Sequence, residues 1–167
     1  MSLTRRRFLA FSGVAGAALL AARGLLPGHE AQAAETFPLS LDDDAWRARL
    51  TPDAYAVLRQ EATERPYSSP LNGEKRTGSF LCAGCDNALY RSDTKFDSGT
   101  GWPSFWRAVD GAVGTKTDYV LVYPRTEVHC ARCGGHLGHI FDDGPAPTGK
   151  RHCINGVALQ FKPGPVT

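Results

Sequence analysis

An excess of charge is the first thing this chain lacks. Its 167 residues carry 19 Lys and Arg against 17 Asp and Glu, a net charge of +2. Residues 1–33 hold Arg5, Arg6, Arg7, Arg23 and Glu30, a net +3, so the remainder is left at −1. The basicity belongs to the N-terminus, and the rest offers no electrostatic footprint for nucleic acid or an acidic membrane surface. Beyond Leu26 there is no apolar run that approaches the ~20 residues a bilayer span needs. Low-complexity tracts are absent, no repeat occurs beyond two short cysteine pairs, and Met1 is the sole methionine.

The N-terminus reads as an address. Thr4-Arg5-Arg6-Arg7-Phe8-Leu9 places a twin arginine ahead of an apolar run from Phe8 to Leu26, and Ala31-Gln32-Ala33 supplies a small-residue cleavage site. This is the pattern of a twin-arginine export signal, so residues 1–33 are expected to be removed and the protein to be periplasmic. An uncleaved N-terminal membrane anchor is the other reading, disfavoured by Arg23 and by the Gly and Ala content of the run. Residues 34–40 read as a leader. Residues 41–167 then form one domain, of a length that buries a single modest core.

Within that domain the pattern is mainly β, preceded by short helices. Ser40 to Asp44 offers a cap and three acids ahead of Trp46, and Thr51-Pro52-Asp53 is a second helix start. Tyr55 and Leu58 share a face of the second helix, and Pro66 and Pro70 are expected to end it. After Ser79, short apolar runs alternate with Gly, Asp and Pro: Ser79–Leu81, Ala88–Tyr90, Tyr119–Tyr123, Gly135–Phe141 and Val157–Phe161. None has helical length, so an antiparallel β domain is expected.

The five cysteines carry most of the chemistry. Cys82-Ala-Gly-Cys85 and Cys130-Ala-Arg-Cys133 are matched C-x-x-C knuckles, and four thiolates fill a closed tetrahedral structural zinc site. Such a site has no open position for catalysis. A redox dithiol is the alternative for one pair, but no βαβ pattern surrounds either. An iron site would use the same ligands and suits an exported protein less well. Export of an already folded chain would let zinc, loaded beforehand, protect these thiols from oxidation.

If zinc consumes four, Cys153 is the one thiol left to react. It lies on or just before a strand, with Arg151 and Asn155 at i−2 and i+2 and so on the same face. A neighbouring cation favours the thiolate, which argues for a reactive thiol over a buried structural one. His136, His139, Asp142 and Asp143 form a potential acid–base set, or else a polar turn. Gly99 to Trp106 holds aromatics on a stiffened loop that serves either as a wall for a small ligand or as core.

Together these motifs resemble the B-type methionine sulfoxide reductases. The resemblance runs from about Asp44 to Lys162. It rests on ordered motifs: Cys82-x-x-Cys85, Gly101-Trp102-Pro103-Ser104-Phe105, Cys130-x-x-Cys133-Gly-Gly-His136-Leu-Gly-His139-Ile-Phe141, Asp143-Gly144-Pro145 and Arg151-His152-Cys153-Ile154-Asn155. It implies twisted antiparallel β-sheets clipped by one structural zinc on Cys82, Cys85, Cys130 and Cys133. It also implies reduction of the R epimer of methionine sulfoxide in oxidised proteins, with a thioredoxin-like or other thiol as reductant. Cys153 would be the nucleophile, and Trp102 with Phe105 would bind the substrate. His136, His139, Asp143 and Asn155 would place and protonate the sulfoxide oxygen, His139 being the preferred acid, while Arg151 tunes the thiolate. A monomer with no nucleic-acid partner and no lasting membrane association is expected.

One position departs from the family pattern. Many members carry a resolving cysteine just before Gly-Trp-Pro-Ser-Phe, where this chain has Thr100. The Cys153 sulfenic acid is therefore expected to be reduced directly by an external thiol, recruitment of a zinc ligand being the other route. A non-catalytic zinc-ribbon binding module is the competing functional class; it requires a basic face, which the charge balance does not supply.

Overall fold

Two capped helices open the described chain. The structure, a computed structural model, describes residues 35–121 and 123–166. The export pattern of residues 1–33 lies outside the described residues. Helix α1 spans Asp43–Arg49, and its first turn is capped by Asp42, whose carboxylate accepts the Ala45 amide at 2.8 Å. Helix α2 spans Pro52–Gln60, with Thr51 as cap and Pro52 at the first helical position. Tyr55 and Leu58 are both buried, as their spacing predicts. The helix stops earlier than Pro66 and Pro70 suggested, at Glu61 in the left-handed region (φ 56°). That early stop frees residues 62–69 to run as an irregular strap.

Nine strands follow among the described residues, in two antiparallel sheets. Strands β1 (Gly78–Cys82), β2 (Ala88–Arg91) and β9 (Leu159–Pro163) form a three-stranded sheet in the order β2-β1-β9. The second sheet contains β3 (Lys95–Phe96), β4 (Ser104–Phe105), β5 (Val113–Asp118), β6 (Arg125–Cys130), β7 (His136–Phe141) and β8 (Arg151–Ile154), in the order β3-β4-β8-β7-β6-β5. Strand β8 is internal. Cys153 faces Ser104 of β4 on one side and His139 of β7 on the other. The core joins Trp46, Tyr55 and Leu58 of the helices to Phe80, Leu89, Tyr90, Phe105, Val128, Leu137 and Ile154 of the sheets.

One expected strand does not appear at its described residues. Tyr119 to Tyr123 reads as β from its aromatic and branched residues, yet β5 ends at Asp118 and β6 begins at Arg125. Tyr119, Val120, Leu121 and Tyr123 are exposed. The local cause is Asp118, whose Oδ1 accepts the Val120 amide at 2.8 Å and turns the chain out of the ladder. The residues just before it, Val113 to Asp118, form a strand that the sequence hid, because it is mostly polar and faces solvent in part.

Candidate active site

The four paired cysteines converge. Cys82 closes β1, Cys85 lies in the turn to β2, Cys130 closes β6 and Cys133 lies in the turn to β7, so the cluster ties a turn of one sheet to a turn of the other. All four are buried, and their sulfurs lie within 4.8 Å of one another. Two separations, 3.8 Å for Cys82–Cys133 and 3.5 Å for Cys85–Cys130, approach the ~3.8 Å edge of a tetrahedron with Zn–S bonds near 2.3 Å. Hydrogen bonds from Cys130 and Cys133 push the Cys82 thiol up, and those from Cys133 and Cys82 push Cys130 down. The surroundings fit too: Asn87 Nδ2 points at Cys130 Sγ at 3.6 Å, and Arg132 and Arg59 hold the carbonyls of Cys85 and Cys133.

Cys153 is the one described cysteine outside this cluster and is only partly buried. It lines a pocket of about 140 Å³ with Thr63, Trp102, Arg125, Gly138, His139, Phe141 and Asn155. Strand pairing explains the proximity of three of them, since β8 lies against β7. A Cβ at position 138 would sit 2.0 Å from the Cys153 carbonyl oxygen, so glycine there lets the two strands close. Burial raises the Cys153 thiol, while the Thr100 hydroxyl, at 3.9 Å from Sγ, and the Arg151 guanidinium pull it down. Arg151 is itself fixed by Asp143, which accepts from Nε at 2.8 Å and Nη2 at 2.9 Å, and it stacks over Phe141 at 4.4 Å.

His139 is set by two residues that sequence reasoning missed. Its Nε2 lies 2.8 Å from Asp118 Oδ2, and the same oxygen takes a 2.5 Å bond from Arg125 Nη2. Asp118 and Arg125 face each other across the mouth of the β5–β6 hairpin. The Val120 amide and then the His139 ring hold the Asp118 carboxyl well below the usual range. Burial lowers the His139 pKa despite Asp118, so the ring is neutral near pH 7. A neutral ring that donates from Nε2 to the carboxylate keeps Nδ1 as a proton acceptor.

His136 stands behind His139, the rings meeting edge-to-face with centroids 5.5 Å apart. It is buried, and its Nδ1 lies 2.7 Å from Glu127 Oε1; the other Glu127 oxygen is 3.1 Å from His129 Nδ1. Burial alone would raise Glu127, but the two imidazoles hold it at about 2.

The opposite wall hangs from one residue of the strap. Glu64 accepts the Trp102 indole N–H on its backbone oxygen at 3.1 Å and donates its own N–H to Asn155 Oδ1 at 2.9 Å. Its carboxylate accepts the amides of Gly156 and Val157. Asn155 Nδ2 reaches the Leu137 carbonyl at 3.0 Å. At the base of the Trp102 loop Gly101 has φ 94° and no space for a side chain, a Cβ falling 2.8 Å from Pro66 Cβ and Tyr67 N. Trp102, His139, Asn155 and Cys153 of the expected site thus share one pocket. Phe105 lies elsewhere: it is fully buried, stacked on Tyr90 at 4.3 Å and edge-on to Phe80 at 4.9 Å. Asp143 reaches the pocket only through Arg151. Glu64, Asp118 and Arg125 carried one faint sequence signal, the opposite charges of the last two at the ends of a hairpin.

Thiol chemistry is what this pocket supports: a partly accessible sulfur, a neutral imidazole beside it, an apolar wall, and the other four thiols gathered in a cluster that could hold a metal ion. The SelR domain family matches residues 50–163. The chain is 53% identical over 122 residues to the peptide methionine sulfoxide reductase MsrB of Bradyrhizobium diazoefficiens, covering 72% of this chain and 88% of that one. It is 54% identical over 121 residues to the MsrB of Methanosarcina barkeri (72% and 85%), and 49% over 123 residues to the chloroplastic B1 reductase of Arabidopsis thaliana (73% and 61%). The chain belongs to the B-type methionine sulfoxide reductases.

Proposed function

We propose that the protein reduces methionine (R)-sulfoxide in oxidised polypeptides to methionine, using the Cys153 thiolate as nucleophile. The observation that carries this is Cys153 facing His139 across paired strands in a small pocket walled by Trp102. His139 Nδ1 takes the thiol proton, and the thiolate attacks the sulfoxide sulfur as that proton passes to the oxygen. The oxygen is transferred to Cys153, the methionine sulfur gains two electrons, and methionine leaves with Cys153 as sulfenic acid. The Trp102 indole supports this by offering an apolar face to the S-methyl, opposite the polar side formed by His139 and Asn155. Arg151, held by Asp143, favours the thiolate.

Return to the thiol needs two external thiols, which become a disulfide and release water. The other described cysteines are buried together in the clip, which supports reduction by a thioredoxin-like or similar donor over an internal disulfide. The clip is proposed to hold one structural zinc. The twin-arginine pattern of residues 4–9 supports a site of action outside the cytoplasm, to be checked by cell fractionation. The deciding experiment is reduction of both sulfoxide epimers with dithiothreitol, wild type against Cys153→Ser. Turnover of the R epimer by wild type alone is expected; equal rates for the two proteins exclude the mechanism.

A further inference from the structure

Behind Cys153 lies a line of hydroxyls that the reaction above does not use. Thr100 Oγ1 is 3.9 Å from Cys153 Sγ and 2.8 Å from Ser98 Oγ. Ser98 Oγ is in turn 2.7 Å from Ser104 Oγ, and Ser104 Oγ is 3.1 Å from the Trp102 carbonyl oxygen. Ser104 is fully buried and is the β4 register partner of Cys153, so strand pairing fixes the line on both sides.

Each hydroxyl has a single proton to give, and that decides how the line can be ordered. There are four contacts between the Cys153 sulfur and the Trp102 carbonyl. With Cys153 as a thiol there are four protons, and every contact is filled if all point away from the sulfur: thiol to Thr100, Thr100 to Ser98, Ser98 to Ser104, Ser104 to the carbonyl. With Cys153 as a thiolate that order sets a hydroxyl lone pair against the negative sulfur. Reversing all three hydroxyls aims the Thr100 proton at the sulfur and leaves unfilled only the contact to the Trp102 carbonyl.

We propose that Thr100, Ser98 and Ser104 form a reversible hydroxyl chain that hydrogen-bonds Cys153 in both of its protonation states, with Thr100 as the residue that meets the sulfur. The thiol proton itself leaves the chain; within it only hydrogen-bond direction changes. A cysteine at position 100 could not do this as well, because S–H is a weak donor. In this chain the position therefore acts as a positioning and solvating group for the nucleophile. The chain rests on the proposed role of Cys153 for its use in turnover, though not for its effect on the thiol.

Other groups face the sulfur. Arg151, with Asp143 behind it, comes from its own strand side; His139, Asp118 and Arg125 come from β5 to β7; Glu64 stands behind Asn155. All of them stay in place when only position 100 or 98 is changed, which makes the following comparison specific. The pH dependence of iodoacetamide alkylation is measured on the full chain, read by mass spectrometry of the peptide that carries Cys153. Thr100→Val keeps the shape and removes the hydroxyl, and should move the midpoint up by about one pH unit, near a tenfold loss of thiolate at neutral pH. Thr100→Ser should overlay the wild type, and Ser98→Ala should fall between. A Thr100→Val curve that matches wild type overturns the proposal, as does a Thr100→Ser curve displaced as far as that of Thr100→Val. If Thr100→Val does not fold, by circular dichroism, Ser98→Ala decides alone, no shift counting against the chain. Because alkylation needs no sulfoxide, inactivity of the wild type toward both epimers would remove the proposed reaction without touching this result.

Discussion

Asp118 Oδ2 sits 2.8 Å from His139 Nε2 while taking a 2.5 Å bond from Arg125, so one carboxylate oxygen joins a hairpin mouth to the imidazole across the strand pair from Cys153. The carboxylate fixes the ring and its tautomer, the arrangement by which an acid orients a histidine that serves as a base. Asp118→Asn removes a charge-assisted bond that opposes burial, so His139 should titrate at still lower pH. The acid limb of the rate profile, set by the need for a neutral ring, should then move to lower pH, and kcat should fall by roughly tenfold to a hundredfold. A pH–rate series in dithiothreitol tests both, and an unchanged profile would separate Asp118 from the reaction.

The Glu127 pair makes a prediction about stability instead. Its folded pKa is depressed to about 2, below the ordinary value of 4.5. The group therefore binds fewer protons when folded. Its contribution is fully present above pH 4.5 and is lost as pH falls toward 2. Glu127→Ala leaves the Nδ1 atoms of His129 and His136 buried without a partner, and should cost about 3 kcal/mol in urea unfolding at pH 7. The gap between variant and wild type should narrow as pH is lowered through that window.

Glu64 makes two contacts around the pocket through its backbone and two more through its carboxylate. Glu64→Ala keeps the backbone bonds but frees the amides of Gly156 and Val157, which unties the strap from the turn after β8. The expected result is a raised KM, with kcat changed less, because the Trp102 wall moves more than the β8 sulfur. Steady-state kinetics on a peptide substrate give the ratio; a pure loss of kcat would assign Glu64 a different role.

Metal analysis should find one zinc per chain, and Cys130→Ser should abolish it. Closing a clip between two sheets makes metal binding part of folding free energy, so chelation should lower Tm by tens of degrees or unfold the chain. Retained Tm after complete zinc removal would show that the clip is dispensable.

The sequence showed more of the site than of its support. Cysteine spacing and the ordered motifs pointed to the cysteine cluster, Cys153, Trp102 and His139, because those residue types have distinctive chemistry and sit in short local patterns. Glu64, Asp118 and Arg125 escaped notice because their roles arise from pairing between distant segments. Both Asp118 and Arg125 also look like surface charge when read in line. The Tyr119–Tyr123 run failed for a related reason: composition favours a strand, but a single aspartate two residues ahead of Val120 turns the backbone away. Phe105 shows the opposite case, an aromatic beside Trp102 that the core claims through Phe80 and Tyr90.

Strand β8 is internal to its sheet, with β4 on one side and β7 on the other. Cys153, on such a strand, has no private hinge. Its amide should exchange with solvent only when the neighbouring ladder opens, so the site and the fold should fail in one cooperative event. Protein damage that spares the sheet leaves the thiol aligned. Damage that opens it should displace Cys153, the imidazole and the hydroxyl line together.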